Sequence, residues 1–317
     1  MHYLKTFYEK IIFILVILFV AQAINAQIDS IDYLGQTPPG DTPVVFARGI
    51  ISTEYQEHGA PAFSPGGKEI FWQTNRQDNE KKWIISIMTM KLVENKWTAP
   101  EISPYSSGPV FFPDGKRLYV GSKGEGADPY FVKKQKNGWS EPESLCLVSR
   151  FPELKFAYNL SITRNGTVYF LGYAPADSGL WNNYAIYRTE LINGEYVKPE
   201  LLPATINAPG DILNWTPFIA PDESFLIFSS SRGTSVNDQG DLYISFRLPN
   251  GYWTDAFNLG SPINTNRQER IPVISPDGKY LFFSRDTPDY DEDVYWVSAE
   301  IIGKLKAKAV QGVPHKQ

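Results

Sequence analysis

The stretch "ISPDGKYLFFSRD" (residues 274–286) sets Asp277, Gly278 and Lys279 between two apolar runs. Near-copies recur: "FSPGGKEIFWQTNR" from Phe63, "FFPDGKRLYVGSKG" from Phe111, "IAPDESFLIFSSSR" from Ile219 and a weaker "ITRNGTVYFLGYA" from Ile162. The turn glycines Gly67, Gly115, Gly166 and Gly278, with Glu223 in the equivalent place, are spaced by 48, 51, 57 and 55 residues. Proline fixes φ at the second position of a type I turn, aspartate suits the third, and glycine takes the left-handed φ. Each copy therefore reads as a hairpin turn closed by a glycine bulge. Asp277 and its counterparts are structural on this reading.

A repeat near fifty residues marks a propeller or a solenoid. Each unit runs apolar strand, turn, strand rich in aromatic and β-branched residues, variable loop, third strand ("DPYFV" at Asp128, "DLYIS" at Asp241), short turn, and a strand opened by Trp97, Trp139, Tyr196 or Trp253. Four short antiparallel strands per repeat make one propeller blade. The fifth repeat ends after "DVYWVSAEII" without a fourth strand, and "TPVVFARGIIS" from Thr42 matches the missing piece. The sequence predicts an all-β, five-bladed propeller of four-stranded antiparallel blades, closed by an N-terminal strand that completes the last blade. The alternative is six blades, the extra one hidden in residues 140–160 or 200–215.

Residues 1–26 have Lys5 and Lys10 ahead of an apolar run from Ile11 to Ala21 and end "AINA". That is the pattern of a secretory signal cut after Ala26, with Ala23 as the alternative site. The run is short for a membrane span, so no stable span is expected after cleavage. Cys146 is the only cysteine, which excludes an internal disulfide. Residues 27–41 read as a linker, 42–302 as the propeller and 303–317 as a basic, mobile tail. Two lysines and one glutamate leave with residues 1–26 and four lysines with the tail, so the body holds 24 basic and 34 acidic residues, net −10. Nucleic-acid binding needs a basic stripe; this body lacks one. A periplasmic or secreted location follows from the signal.

The repeats resemble the TolB-type propeller repeat, a WD40-like strand–"SPDGK"–strand hairpin. "ISPDGKYLFFS" (274–284) matches it closely, and "FSPGGKEIFW" and "FFPDGKRLYV" match it well. "LGSPINT" (259–265) and "GIISTEYQEHGAPAFSP" (49–65) are similar to exported bacterial proteins of this group. The resemblance covers residues 42–302 and implies a propeller fold; it does not imply one function. TolB carries an α/β domain before its propeller, and too little chain lies between Ala26 and the first blade here to hold one.

Turns after first and third strands are short and alike, whereas loops after second strands ("TNRQDNEKK", "GYAPADSGLWNN", "SSSRGTSVNDQG") and between blades vary in length. Variable loops on a rigid scaffold are where binding groups concentrate, so the working face is the one away from the Pro-Asp-Gly turns. Counting back three residues from each repeat's strand proline, or its equivalent, places His58, Ser106, Ala157, Asn214 and Glu269 at the channel mouth, with Trp215 and Arg270 beside two of them. Second strands end there with Arg76, Lys123, Arg232, Arg285 and Asp286. These cations form either a funnel for an acidic ligand or internal pairs with loop acids such as Asp78, Asp241 and Asp289. The sequence holds no paired metal histidines, Gly-x-Ser-x-Gly elbow, phosphate loop or dinucleotide fingerprint. Asp289, Asp291 and Asp293, with Glu300, are spaced as in a calcium loop, but Val294 stands where that loop needs glycine; no other cofactor is indicated. Glu57, Glu269 and Asp286 are the carboxylates available for sugar cleavage, which needs two at a fixed separation. The leading expectation is a non-catalytic exported propeller binding a partner protein or an envelope glycan. The alternative is a carbohydrate-active enzyme, glycosidase or lyase, working at the channel mouth.

Overall fold

A computed structural model describes residues 31–105, 108–122, 126–180, 183–233, 240–288 and 291–311. Alternating apolar runs give strands because one sheet face packs on the next blade, and short turn signals keep successive strands antiparallel. The innermost strands are Ala62–Phe63, Val110–Phe111, Tyr158–Ile162, Asn214–Ile219 and Glu269–Ile274. Each pairs with a second strand (Glu69–Gln77, Arg117–Ser122, Val168–Tyr173, Phe225–Ser230, Tyr280–Asp286), and that with a third (Trp83–Val93, Pro129–Gln135, Tyr184–Thr189, Asp241–Phe246, Glu292–Ser298). Outer strands are Glu101–Ile102, Glu143–Ser144, Glu200–Leu201 and Phe257–Asn258. The fifth blade takes its outer strand from the other end of the chain: Val44 pairs with Trp296 and Val45 with Tyr295. The protein is a five-bladed β-propeller.

Three expectations need correction. The aromatics Trp97, Trp139, Tyr196 and Trp253 do not open the outer strands proper. They close a short hairpin on the third strand, and the outer strand resumes a few residues later with its register shifted by one residue in each of the four blades. One extra residue per blade is a β-bulge, which bends the strand and raises its twist. The six-blade alternative falls because, among the described residues, 140–160 adds a helical turn (Leu147–Arg150) and a 3₁₀ turn (Pro152–Leu154) rather than a blade. The mobile tail is, through residue 311, a helix, Glu300–Gln311. Ile302, Leu305 and Ala309 recur at helical spacing, and Leu305 and Ala309 are buried against the junction of blades four and five.

The core lies between neighbouring blades rather than at a centre. At the closing seam Phe46, Trp296 and Phe282 are fully buried, with ring centroids 5.0 to 5.6 Å apart. Ile31 and Tyr33 pack onto the same cluster. The Tyr33 hydroxyl donates to Asp277 Oδ1 at 2.8 Å, so the turn aspartate anchors the segment that leads into the propeller. Gly67, Gly115, Gly166 and Gly278 all have positive φ, as does Glu223 at 58°. Glutamate tolerates that conformation because its carboxylate is anchored: it accepts from Tyr169 Oη (2.8 Å), Arg188 Nε (3.2 Å) and Arg247 (2.7 Å).

Candidate functional site: the channel and its mouth

The five innermost strands surround a central cavity of about 1050 Å³. Pro65, Pro113, Pro221 and Pro276 of the hairpin turns line one end; His58, Gln73 and Ser122 line the other. The second end carries the loops of variable length. Blade one rises furthest there, on strands of 9 and 11 residues, against 6 or 7 in the corresponding strands of the other blades. Its hairpin displays Trp83 and Ile85, which are 53% and 56% exposed.

The mouth is built from connectors held by buried carboxylates. Thr265 donates to Glu269 through both its N–H (3.2 Å to Oε2) and its hydroxyl (2.6 Å to Oε1). Thr53 holds Glu57 in the same way, at 3.1 and 2.7 Å. Both carboxylates are fully buried. The sequence signal is the internal match of "ISTEYQE" (51–57) to "INTNRQE" (263–269). It corrects the register of blade one: Glu57, not His58, is the counterpart of Glu269. One extra residue between Glu57 and Pro61 offset the count; Gly59, with φ 116°, answers to Ile271, with φ 52°.

The two clamps differ in charge. Glu269 accepts from Arg285 Nε at 2.8 Å, and the same guanidinium donates to the carbonyls of Pro262 (3.2 Å) and Ile263 (2.6 Å). Thr74, at 3.4 Å, is the side chain on Glu57 in place of a cation. Burial pushes Glu57 up to about 8, against the Thr53 hydrogen bonds, with Asp293 and Asp291 adding to the rise. Beside it, Glu292 is fully buried, accepting from Arg270 Nε at 2.9 Å and lying 3.0 Å from His58 Nδ1. Burial opposes ionisation of Glu292, but His58 and Arg270 hold it below the usual carboxylate range. Arg270 also pairs with Asp286, which burial raises.

The structure thus brings His58, Glu269, Arg270, Arg285 and Asp286 together around blade five. Asn214, Trp215 and Arg232 form a separate group in blade four. Asn214 is fully buried and accepts from Ser230 Oγ at 2.8 Å. Arg232 donates to Thr205 O (3.0 Å), Ile206 O and Asn214 Oδ1 (3.2 Å). Trp215 is buried against Gly240, where a Cβ would lie 2.2 Å from the indole. Arg76 is exposed and has no ion pair among the described residues. Lys123, Ser106 and Asp289 lie outside the described residues. Arg270 and Arg285 are paired internally and Arg232 is bound to carbonyls, but not with the acids expected from sequence: Asp241 accepts from Asn258, and Asp78 caps its own turn. Asp291 caps Glu292 N–H, and Val294 is fully buried in a strand. Among the described residues there is no group of three or more metal-ligating side chains, and no helix is long and apolar enough to cross a membrane.

No family model matches the chain, and no curated protein matches it. Among solved structures it is similar to xylan β-1,4-xylosidase from Bacillus halodurans C-125, at 12% identity and TM-score 0.47, over 78% of this chain and 54% of that one. A thermostable family-43 glycoside hydrolase shares 14% identity at TM-score 0.44, over 77% of this chain and 89% of that one. The β-propeller domain of the Trilobed protease from Pyrococcus furiosus shares 12% identity at TM-score 0.39, over 78% and 69%. The propeller assignment stands on the five sheets themselves.

Proposed function

We propose that the protein is an exported, non-catalytic propeller that binds a partner protein or an envelope glycan through its variable-loop face. The observation that carries the reading is the use made of the ionisable groups at the mouth. Glu269, Arg285 and Arg232 are hydrogen-bonded to connectors and Arg270 to two carboxylates of its own blade, which leaves recognition to loops such as the hairpin bearing Arg76, Trp83 and Ile85. Exposed aromatic and arginine side chains are the usual energetic anchors of interfaces. Pairing inside the fold also argues for a neutral glycan or a protein surface over a strongly acidic ligand.

The test is a thermal-shift screen of neutral and uronic oligosaccharides, peptidoglycan fragments and short peptides. A ligand at a hundred times its dissociation constant stabilises by about 2.7 kcal/mol, a rise of a few degrees. A hit that weakens in Trp83→Ala supports the reading. A hit unchanged by Trp83→Ala and by Arg76→Glu contradicts it.

One observation favours the enzymatic alternative: Glu57 holds its proton near neutral pH beside ionised Glu292, the division of labour an acid and a second carboxylate need. Its complete burial weighs against contact with a glycosidic oxygen. Turnover of any glycan in the screen, lost in Glu57→Gln with binding retained, would establish it.

A further inference from the structure

The channel beneath the mouth meets that face at its rim, where Ile85 lines the cavity, and its interior has no part in that reading. Its wall is the free inner edge of five strands, each hydrogen-bonded on one side only. Such an edge normally presents a row of unpaired N–H and C=O groups. Here proline stands at the same place in four blades, Pro61, Pro109, Pro217 and Pro272, with Leu160 in the remaining one. Proline has no N–H to present, and Pro109, Pro217 and Pro272 line the cavity directly. Inner edges of a closed ring are shielded from another chain's strands, so protection against edge pairing does not account for the pattern. An apolar wall does.

The side chains agree. Ala62, Val110, Phe218 and Val273 line the middle of the channel, and Ser161, at the same level in blade three, is buried with its hydroxyl accepting from Ile219 N–H at 2.9 Å. The backbone is bent to place them: Thr216 and Ile271, each just ahead of a lining proline, have φ of 48° and 52°, and the ladder shifts register at both points. β-branched residues rarely adopt that conformation, and strain of this kind gathers where it shapes a functional cavity. The other polar side chains stand towards the ends: His58, Gln73, Asn159 and Thr216 towards the loop face, Arg164, Asp222 and Asp277 towards the turn face. A volume of about 1050 Å³ is at the upper end of ligand cavities, ~300–1,000 Å³.

We propose that the channel binds the extended hydrocarbon chain of a single-chain amphiphile, with its polar head at the loop face among His58, Gln73 and Asn159. The shape is axial and the wall between the two polar ends is mainly apolar, with the Ser161 hydroxyl bonded inside it, which fits one long chain better than a compact ring. This proposal is independent of the loop-face reading.

The experiment is calorimetric titration of the purified protein with saturated fatty acids of increasing chain length, and in a second arm with lysophospholipids of the same chains. Affinity should rise about fourfold per added methylene until the channel is filled. Preference between the arms identifies the head group. Val273→Trp, which projects into the cavity, should abolish saturable binding while thermal unfolding shows an intact fold; Ala62→Leu should shorten the longest chain accepted. Absence of saturable binding in both arms, no dependence on chain length, or unchanged binding in a folded Val273→Trp protein would each overturn the proposal.

Discussion

The Thr53–Glu57 and Thr265–Glu269 clamps are one device built twice, with two electrostatic outcomes. Both threonines hold a fully buried carboxylate through a backbone and a hydroxyl hydrogen bond. In blade five Arg285 supplies the compensating charge; in blade one Thr74 stands in its place. An ion pair inside a protein survives only with good geometry and its remaining donors satisfied, and Arg285 meets that condition by also donating to two carbonyls. Without a cation, Glu57 answers burial by keeping its proton. The comparison teaches that the mouth of this propeller is an architectural layer, in which charge is either paired or suppressed.

The largest effect expected from breaking that comparison comes from Arg285→Met. It leaves Glu269 buried without its cation and should lower unfolding free energy by about 3–5 kcal/mol, read by chemical denaturation. His58→Ala removes one of the partners of Glu292 at a half-exposed site, and a loss of about 1 kcal/mol is expected, since Arg270 remains. Glu57→Gln should be the mildest at neutral pH, within about 1 kcal/mol, because the wild-type group already carries a proton. Its signature is in the pH dependence. The folded pKa of Glu57, about 8, exceeds the ordinary value near ~4.3, so the folded state binds more protons between them. The stability Glu57 contributes is therefore fully present below about pH 4.3 and is lost as pH rises through about 8. Wild type minus Glu57→Gln, measured across that window, should show this slope; a flat difference would place a cation beside Glu57.

Much of the fold was legible because the hairpin turn needs particular residues at fixed places. Asp277 and Gly278 marked the repeat, the glycine spacing gave the blade count, and the missing fourth strand pointed to Thr42 onwards. The single-residue bulges before the outer strands left no such mark, since a bulge asks for one more residue and not for a particular one. The C-terminal helix was obscured by its lysines: Ile301, Ile302, Leu305 and Ala309 carry the apolar face, too few to stand out against a solvated tail. In the site, residue types were read well and their partners poorly. Arg285 and Arg232 were named as rim cations, yet both turn inward to carbonyls that no local pattern reveals. One extra residue between Glu57 and Pro61 shifted the count in blade one, and Glu223 looked like a lapse in the repeat because its three partners come from distant strands.

The most direct test of the architectural account is a double-mutant cycle on Glu269→Ala and Arg285→Met, followed by equilibrium unfolding. Each single change should be strongly destabilising and the double less so than their sum, a coupling of at least about 1 kcal/mol. Additive losses, or a Glu269→Ala protein as stable as wild type or more so, would mean that the carboxylate is kept for a ligand and not for the fold.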